Sequence, residues 1–269
     1  MRVASALITG TTAGLGRALL EHYVGRGVKV IAVNRRRVAE LEARHPSVRF
    51  EQLDVRSAGD VEALVRALAD AGELPDVFIL NAGINRVDND EAFDLPAYRE
   101  VMDTNLYGVL NFMAPLTRLA VGVERHIVAV SSVVTCAGNP YALGYQTSKQ
   151  ALTTCFDVWA SMYAGTDLVF KQVILGPVRT SIHTMEDRLP RWMVGVKRLA
   201  SASLEDAVRA ITRFTESRRK KLIHPWRALA VFGLARLARR FLPATVQGRQ
   251  TLDGKRRRPR QPRETRPTP

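Results

Sequence analysis

Short runs rich in valine, isoleucine and leucine recur along the chain, and longer stretches separate them in which apolar residues return at helical spacing. The runs predict strands at Val3–Thr9, Val28–Val33, Val48–Leu53, Asp76–Leu80, His126–Val130, Leu168–Leu175 and Lys221–His224. The stretches between them predict helices at Leu15–Arg26, Asp60–Ala71, Leu95–Ala120, Gly144–Tyr163 and Leu204–Ser217. Strands that are apolar on both faces have to be covered on both faces. Right-handed crossovers between such strands build a doubly wound α/β fold, here a seven-stranded parallel sheet in a three-layer α/β/α sandwich. No repeat of solenoid period interrupts the pattern.

Composition supports a packed core: 46% of the residues are hydrophobic and 25% charged, which excludes a disordered chain. The two cysteines, Cys136 and Cys155, are too few for a disulfide framework and lie in no CxxC pair. They are expected as reduced thiols, which suits a cytoplasmic protein. The first strand begins so early that no targeting segment is expected ahead of it. No run reaches the ~18 uninterrupted apolar residues of a membrane span.

Charge changes the picture. The formal net charge is +14, yet residues 1–187 hold 18 Lys/Arg against 21 Asp/Glu, so the body is nearly neutral. Residues 188–269 hold 22 against 5, and the excess therefore needs its own explanation. Within that region Arg227 to Leu242 reads RALAVFGLARLARRFL, an amphipathic pattern with Leu229, Phe232, Leu234, Leu237 and Leu242 among arginines. Packing on the protein's own body or a partner subunit explains such a helix, and so does contact with an anionic membrane surface. Asp253 to Pro269 has four prolines, an arginine run and almost no apolar residues, so it is expected as a disordered tail. The division expected is a catalytic domain over 1–226, an amphipathic basic helix over 227–252 and the tail over 253–269. Without interleaved aromatics or a recognisable module, the basic end predicts no specific nucleic acid.

Candidate chemistry begins at the turn after the first strand, Thr9-Gly10-Thr11-Thr12-Ala13-Gly14-Leu15-Gly16. Glycines permit a tight turn and close approach to a pyrophosphate, and the helix that follows points its N-terminal N–H groups at the phosphates. A Rossmann-type nucleotide site follows from that position.

The GxxxGxG spacing is similar to the cofactor turn of the short-chain dehydrogenase/reductase family. Four further motifs follow in that family's order: Asn81-Ala82-Gly83, Asn105 within MDTNL, Ser132 thirteen residues before Tyr145, and Tyr145-Gln146-Thr147-Ser148-Lys149. Gly176-Pro177-Val178-Arg179-Thr180 is a variant of its PGxVxT. The resemblance covers about residues 3–225. It implies a cofactor held by Gly10, Thr11, Thr12, Gly14, Leu15, Gly16, Asp54, Val55, Asn81, Ala82, Gly83, Tyr145, Lys149, Pro177, Val178 and Thr180.

The end of the second strand chooses the cofactor. NAD-binding folds place an acidic residue there for the ribose 2′-hydroxyl. This chain has Asn34 followed by Arg35, Arg36 and Arg37, and guanidinium groups suit a 2′-phosphate. NADP(H) is favoured. Ala13, where the family carries a second basic residue in NADP-binding members, leaves NAD(H) open.

Tyr145 and Lys149 share a helix face at i, i+4, so the ammonium is expected to lower the phenol's pKa toward neutrality and make it an acid/base. The resemblance implies that Ser132 steadies the substrate oxygen, that Lys149 binds the nicotinamide ribose and that Asn105 links Lys149 to a water-mediated proton path. The expected reaction interconverts a ketone or aldehyde with an alcohol. Nothing beside Cys136 would activate it as a thiolate, and the five histidines lack ligand spacing, so no metal is expected.

The segment over about 181–203 falls where the family places a substrate-covering lid, and Ile182, Met185, Leu189, Trp192, Met193 and Val194 give it an apolar content. The ending carries only a faint echo of the terminal strand of 3-oxoacyl carrier-protein reductases, which points instead to lipophilic carbonyls. The family's subunit contacts fall on the helices over Leu95–Ala120 and Gly144–Tyr163, which implies a homodimer or homotetramer. The rival readings are a nucleotide-binding redox sensor and a membrane-surface scaffold with little turnover.

Overall fold

The computed structural model describes residues 2–86, 93–136, 142–178 and 199–241. Seven strands form one parallel sheet: β1 (Ser5–Thr9), β2 (Lys29–Asn34), β3 (Arg49–Gln52), β4 (Val77–Leu80), β5 (Arg125–Ser132), β6 (Leu168–Leu175) and β7 (Lys221–His224). Their order is β3-β2-β1-β4-β5-β6-β7, so the winding reverses between β1 and β4. Connections there leave in opposite directions, and a crevice opens beyond the carboxyl ends of these strands.

The helices are α1 (Gly14–Gly25), α2 (Ala39–Arg44), α3 (Ala58–Asp70), α4 (Leu95–Met102), α5 (Gly108–Leu119), α6 (Leu143–Met162), α7 (Leu204–Glu216) and α8 (Trp226–Phe241). Alternation along the strands sorts the core into two layers. Leu7, Phe78, Leu80, Ile127 and Ala129 face α3, α5 and α6, where they meet Val65, Phe112 and Phe156. Ala6, Ile8, Val77, Ile79, Val128 and Val130 face α1 and α7, where they meet Leu19, Leu20, Ile211 and Phe214. Apolar runs are needed because each strand serves both layers.

Two departures from the periodicity matter. The helix expected over Leu95–Ala120 is divided into α4 and α5 by a π-helical turn at Asp103–Tyr107, which carries Asn105 inward. Such a turn inserts one residue into the ladder and rotates a side chain off the regular face. The six-residue α2 rises from the charged run after β2, where hydrophobic periodicity offers no signal.

Within β6, the fully buried Lys171 donates to the carbonyls of Phe214, Thr215 and Ser217. These are the orphan acceptors at the end of α7, and a cation satisfies them while complementing the helix dipole. Burial pushes the Lys171 amine down to about 8. His126 Nδ1 lies 2.7 Å from the Thr215 carbonyl, and the Tyr23 hydroxyl lies 2.9 Å from Thr215 Oγ1. Replacing Lys171 with Met removes the donor and leaves buried acceptors, at a cost of about 3 kcal/mol. Urea unfolding of K171M at pH 7 should show a midpoint lowered by a corresponding amount, with an unchanged slope.

Candidate active site

The site is built on the last residue of β1. Thr9 Oγ1 accepts hydrogen bonds from the backbone of Asn81 (3.0 Å) and Ala82 (2.9 Å), which locks the turn after β4 to the end of β1. Asn81 Nδ2 returns a bond to the Thr9 carbonyl at 3.1 Å. Gly10 follows with φ +73°, and a Cβ there would sit 2.9 Å from Ala82 Cα. Gly16 is tighter still: a Cβ would lie 2.0 Å from the Gly10 carbonyl oxygen. The three segments can only meet as bare backbone.

Their meeting aims α1 at the crevice. The helix opens at Gly14 after Ala13, and no side chain caps its first turn. Its orphan N–H groups are therefore available to an anion. A glycine cradle and an uncapped helix start fit a pyrophosphate.

The end of β2 contributes Asn34, buried and spent on the turn: its Oδ1 accepts from the Thr11 backbone at 2.7 Å and its Nδ2 donates to Thr11 Oγ1 at 2.8 Å. Asn34 thus braces the glycine turn with a neutral side chain. Arg35 and Arg36 are exposed and make no ion pair or hydrogen bond among the described residues, whereas Arg37 pairs with Glu42. Asp54 is held by Arg56, with an Nη2–Oδ2 distance of 2.6 Å that keeps its carboxyl below the usual range.

The reacting end is placed by β5, α6 and the π turn. Asn105 is fully buried, and its carboxamide clamps the loop after β4: Oδ1 accepts from Ile84 N at 2.7 Å and Nδ2 donates to Ile84 O at 2.9 Å. Nδ2 also donates to Ser148 Oγ of α6 at 3.1 Å. Gly83 is fitted between the side chains of Asn105 and Lys149. A Cβ on Gly83 would stand 3.1 Å from Asn105 Oδ1 and 3.6 Å from Lys149 Nζ.

Ser132 ends β5, and its hydroxyl hydrogen-bonds the phenol of Tyr145. Lys149 is buried, donates to the Val130 carbonyl at 2.8 Å and holds its Nζ 5.8 Å from the Tyr145 ring centre. The expectation that Lys149 lowers the Tyr145 pKa is corrected here. Burial raises the phenol, with Ser132 opposing it in part, and burial lowers Lys149 to about 8. Loss of hydration outweighs attraction between the two groups because the ammonium is directed at a carbonyl instead of the phenol.

One cleft of about 920 Å³ joins these parts. It is lined by Gly10, Thr12, Gly14, Leu15, Gly16, Asn34, Arg35, Arg36, Asp54, Val55, Asn81, Ala82, Gly83, Ser132, Tyr145, Lys149, Pro177 and Val178, all expected from the sequence. Thr11 and Asn105 lie buried beneath it. Thr180, the lid over 181–198 and everything after 241 lie outside the described residues. Sequence reasoning missed Ile84, Thr104, Val133, Val134 and Ser148, and it placed Thr9 in the glycine turn without its bracing role, because these roles depend on which turns the sheet brings together. Val133 and Val134 directly follow Ser132, and that adjacency was the available signal.

The short chain dehydrogenase family profile matches residues 4–189, and the chain belongs to that family. It is an oxidoreductase. An uncharacterized oxidoreductase of Myxococcus xanthus is 31% identical over 190 residues, covering 68% of this chain and 75% of that protein. The 11-beta-hydroxysteroid dehydrogenase A of Sesamum indicum is 32% identical over 56% of this chain and 46% of its own length. The 3-oxoacyl-acyl-carrier-protein reductase of Staphylococcus aureus is 30% identical over 54% of this chain and 62% of its own length. Among solved structures, a short chain dehydrogenase from Burkholderia cenocepacia in complex with NADP superposes with a TM-score of 0.71 at 24% identity, covering 89% of this chain and 96% of that one.

A methyl group at Gly16 has to displace the Gly10 carbonyl. Gly16→Ala is expected to weaken nicotinamide dinucleotide binding by at least about tenfold, the equivalent of one lost charge-assisted hydrogen bond. Fluorescence titration of the nucleotide would measure it, and an unchanged affinity would show that the cradle is not the phosphate site.

Proposed function

We propose that the protein is an NADP(H)-dependent oxidoreductase that interconverts a lipophilic ketone or aldehyde with its alcohol, with Tyr145 as general acid/base. The observation that carries this reading is the convergence of the Ser132 and Tyr145 hydroxyls with the Lys149 ammonium in the same cleft as the glycine cradle. The nicotinamide cofactor, when bound, supplies or accepts the hydride at the substrate carbon.

The chain's own residues handle the proton. In reduction, Tyr145 gives its phenolic proton to the carbonyl oxygen and is left as phenolate, and the same proton returns to it in alcohol oxidation. Ser132 donates to the oxygen as charge develops there. A raised phenol pKa keeps Tyr145 protonated near neutrality, which suits the reductive direction. Lys149 lies close enough to compensate the phenolate once it forms, and its short reach is fixed by the Val130 carbonyl. Asn105 acts through Ile84 and Ser148 as a positioning residue.

The preference for the 2′-phosphate rests on Arg35 and Arg36, two exposed guanidinium groups that make no hydrogen bond or ion pair among the described residues, beside a neutral Asn34. The lipophilic substrate rests on Val133, Val134, Leu175 and Val178, which line the cleft around Ser132, and is supported by the likeness to an 11-beta-hydroxysteroid dehydrogenase. The exposed Tyr107, Val158 and Met162 on the π turn and α6 support a homodimer or homotetramer through those elements.

The decisive experiment is NADPH oxidation with a panel of aliphatic, aromatic and steroidal ketones. Tyr145→Phe should lower kcat by about 10²–10⁴-fold while leaving NADPH affinity unchanged. A variant that retains wild-type turnover overturns the role given to Tyr145. The double variant R35E/R36E should lose about tenfold or more in kcat/KM for NADPH and little for NADH.

The pH dependence follows from Lys149. A lysine whose pKa is lowered to about 8 is charged below that value and neutral above it. Carbonyl reduction should therefore hold level below pH 8 and decline above it, and the break should be absent in Lys149→Arg, whose side chain does not titrate there.

A further inference from the structure

Helix α8 follows β7 directly and has two unlike faces. Its inner face packs on the site: Ala228 is fully buried with Val133, Ile174 and Ala200, and Val231 packs on the same cluster. Arg227 fixes the helix start by donating from Nε to the Leu199 carbonyl at 3.0 Å and from Nη2 to the Ser201 carbonyl at 2.6 Å. Its outer face carries Trp226, 77% exposed, Leu229, 39%, and Leu234, 67%. These positions recur at i, i+3 and i+8, which is one stripe of a helix. Leu199, 65% exposed, adjoins the stripe through the bond from Arg227. Nothing among the described residues covers them.

We infer that this stripe is a docking face for an anionic lipid bilayer, on which α8 lies flat. Charge selects the occupant. From Ser217 to Leu252 the chain has nine Lys/Arg and no Asp/Glu, and Arg236, Arg239 and Arg240 belong to α8 itself; Lys221 is paired with Asp157 and Arg227 is spent on the Leu199 and Ser201 carbonyls. A second copy would bring two such cationic segments together, and like charges oppose that contact. Nucleic acid matches the charge but leaves the Trp and Leu side chains without a partner. An anionic membrane interface meets both demands: headgroups take the arginines, and the acyl boundary takes the apolar stripe with its tryptophan. No helix among the described residues is long and apolar enough to cross a membrane, so the contact is with the surface. The inference is independent of the ketone substrate and of the cofactor preference.

The test is flotation of the full-length protein with vesicles of phosphatidylcholine alone and with about one third phosphatidylglycerol. Trp226→Glu/Leu234→Glu serves as the comparison, since both positions are exposed and outside the site. Wild type should partition onto the anionic vesicles at least about tenfold more than onto the neutral ones. The double variant should lose that binding and keep its NADPH affinity. Failure of wild type to float with anionic vesicles overturns the inference. Equal binding by the variant also overturns it, because the tail charge alone would then explain the affinity. A wild-type dimer that the variant breaks, with no lipid binding, assigns the stripe to self-association instead.

Discussion

The whole site depends on one close approach of backbone to backbone. Gly16 in the first turn of α1 stands against the Gly10 carbonyl with no space for a Cβ, and Gly10 stands against Ala82 in the same way. That contact brings the start of α1, the end of β1 and the turn after β4 into one layer, and Thr9 fastens it with two hydrogen bonds. The reversal of strand order between β1 and β4 opens a crevice in any doubly wound sheet. The glycines turn this crevice into a site, since a side chain at either position would push the helix start off the strand end. Asn34 and Asn105 then act as braces on either side, one to the glycine turn and one to the loop after β4.

Burial governs the chemistry on that scaffold. Lys149 is buried and Tyr145 half-buried at the wall of the cleft, and the hydration each has lost shifts it toward its neutral form. The pair is therefore held back in opposite directions, the phenol from losing its proton and the amine from keeping one. A charge that arrives in the cleft is felt strongly there, because the low dielectric that penalises an isolated ion also strengthens its attraction to a partner. Phenolate formed beside Lys149 would be such a partner. The i, i+4 spacing establishes that these two side chains share a face. It contains no information on where the ammonium points, and the Val130 carbonyl that takes it belongs to a strand far away in sequence.

The same distinction separates what was legible in the chain from what was not. The strands were readable because burial on both faces demands uninterrupted apolar runs, and all seven runs occupy the sheet. Motif residues such as Gly10, Ser132 and Tyr145 were readable because turn geometry and proton chemistry restrict the residue type. The π turn was not, since Leu95 to Ala120 carries a continuous helical period and the inserted residue is stabilised by Asn105 reaching Ile84 and Ser148. Helix α2 was not, because its sequence of alternating charge advertises only a solvated surface. Thr9 and Ser148 look like ordinary small polar residues until the fold brings their partners within reach.

The C-terminal third shows that a charge pattern has to be read together with packing. Read as sequence, the basic helix is open to packing on the body or a partner and to contact with a membrane surface. In the fold its first turns lie against Gly176, where a Cβ would be 2.8 Å from that of Ala228, and against Val133 just after Ser132. Both contacts touch turns that line the cleft, through Pro177 and Val178 on one side and Val133 and Val134 on the other. The inner face of α8 is thereby part of the wall that fixes the site, and only the outer face is free to carry charge and exposed tryptophan. A helix that must satisfy both surfaces cannot be amphipathic in the simple sense of one apolar and one polar side. It has an apolar face for the protein, through Ala228 and Val231, and a second apolar set, Trp226, Leu229 and Leu234, that the described residues leave exposed.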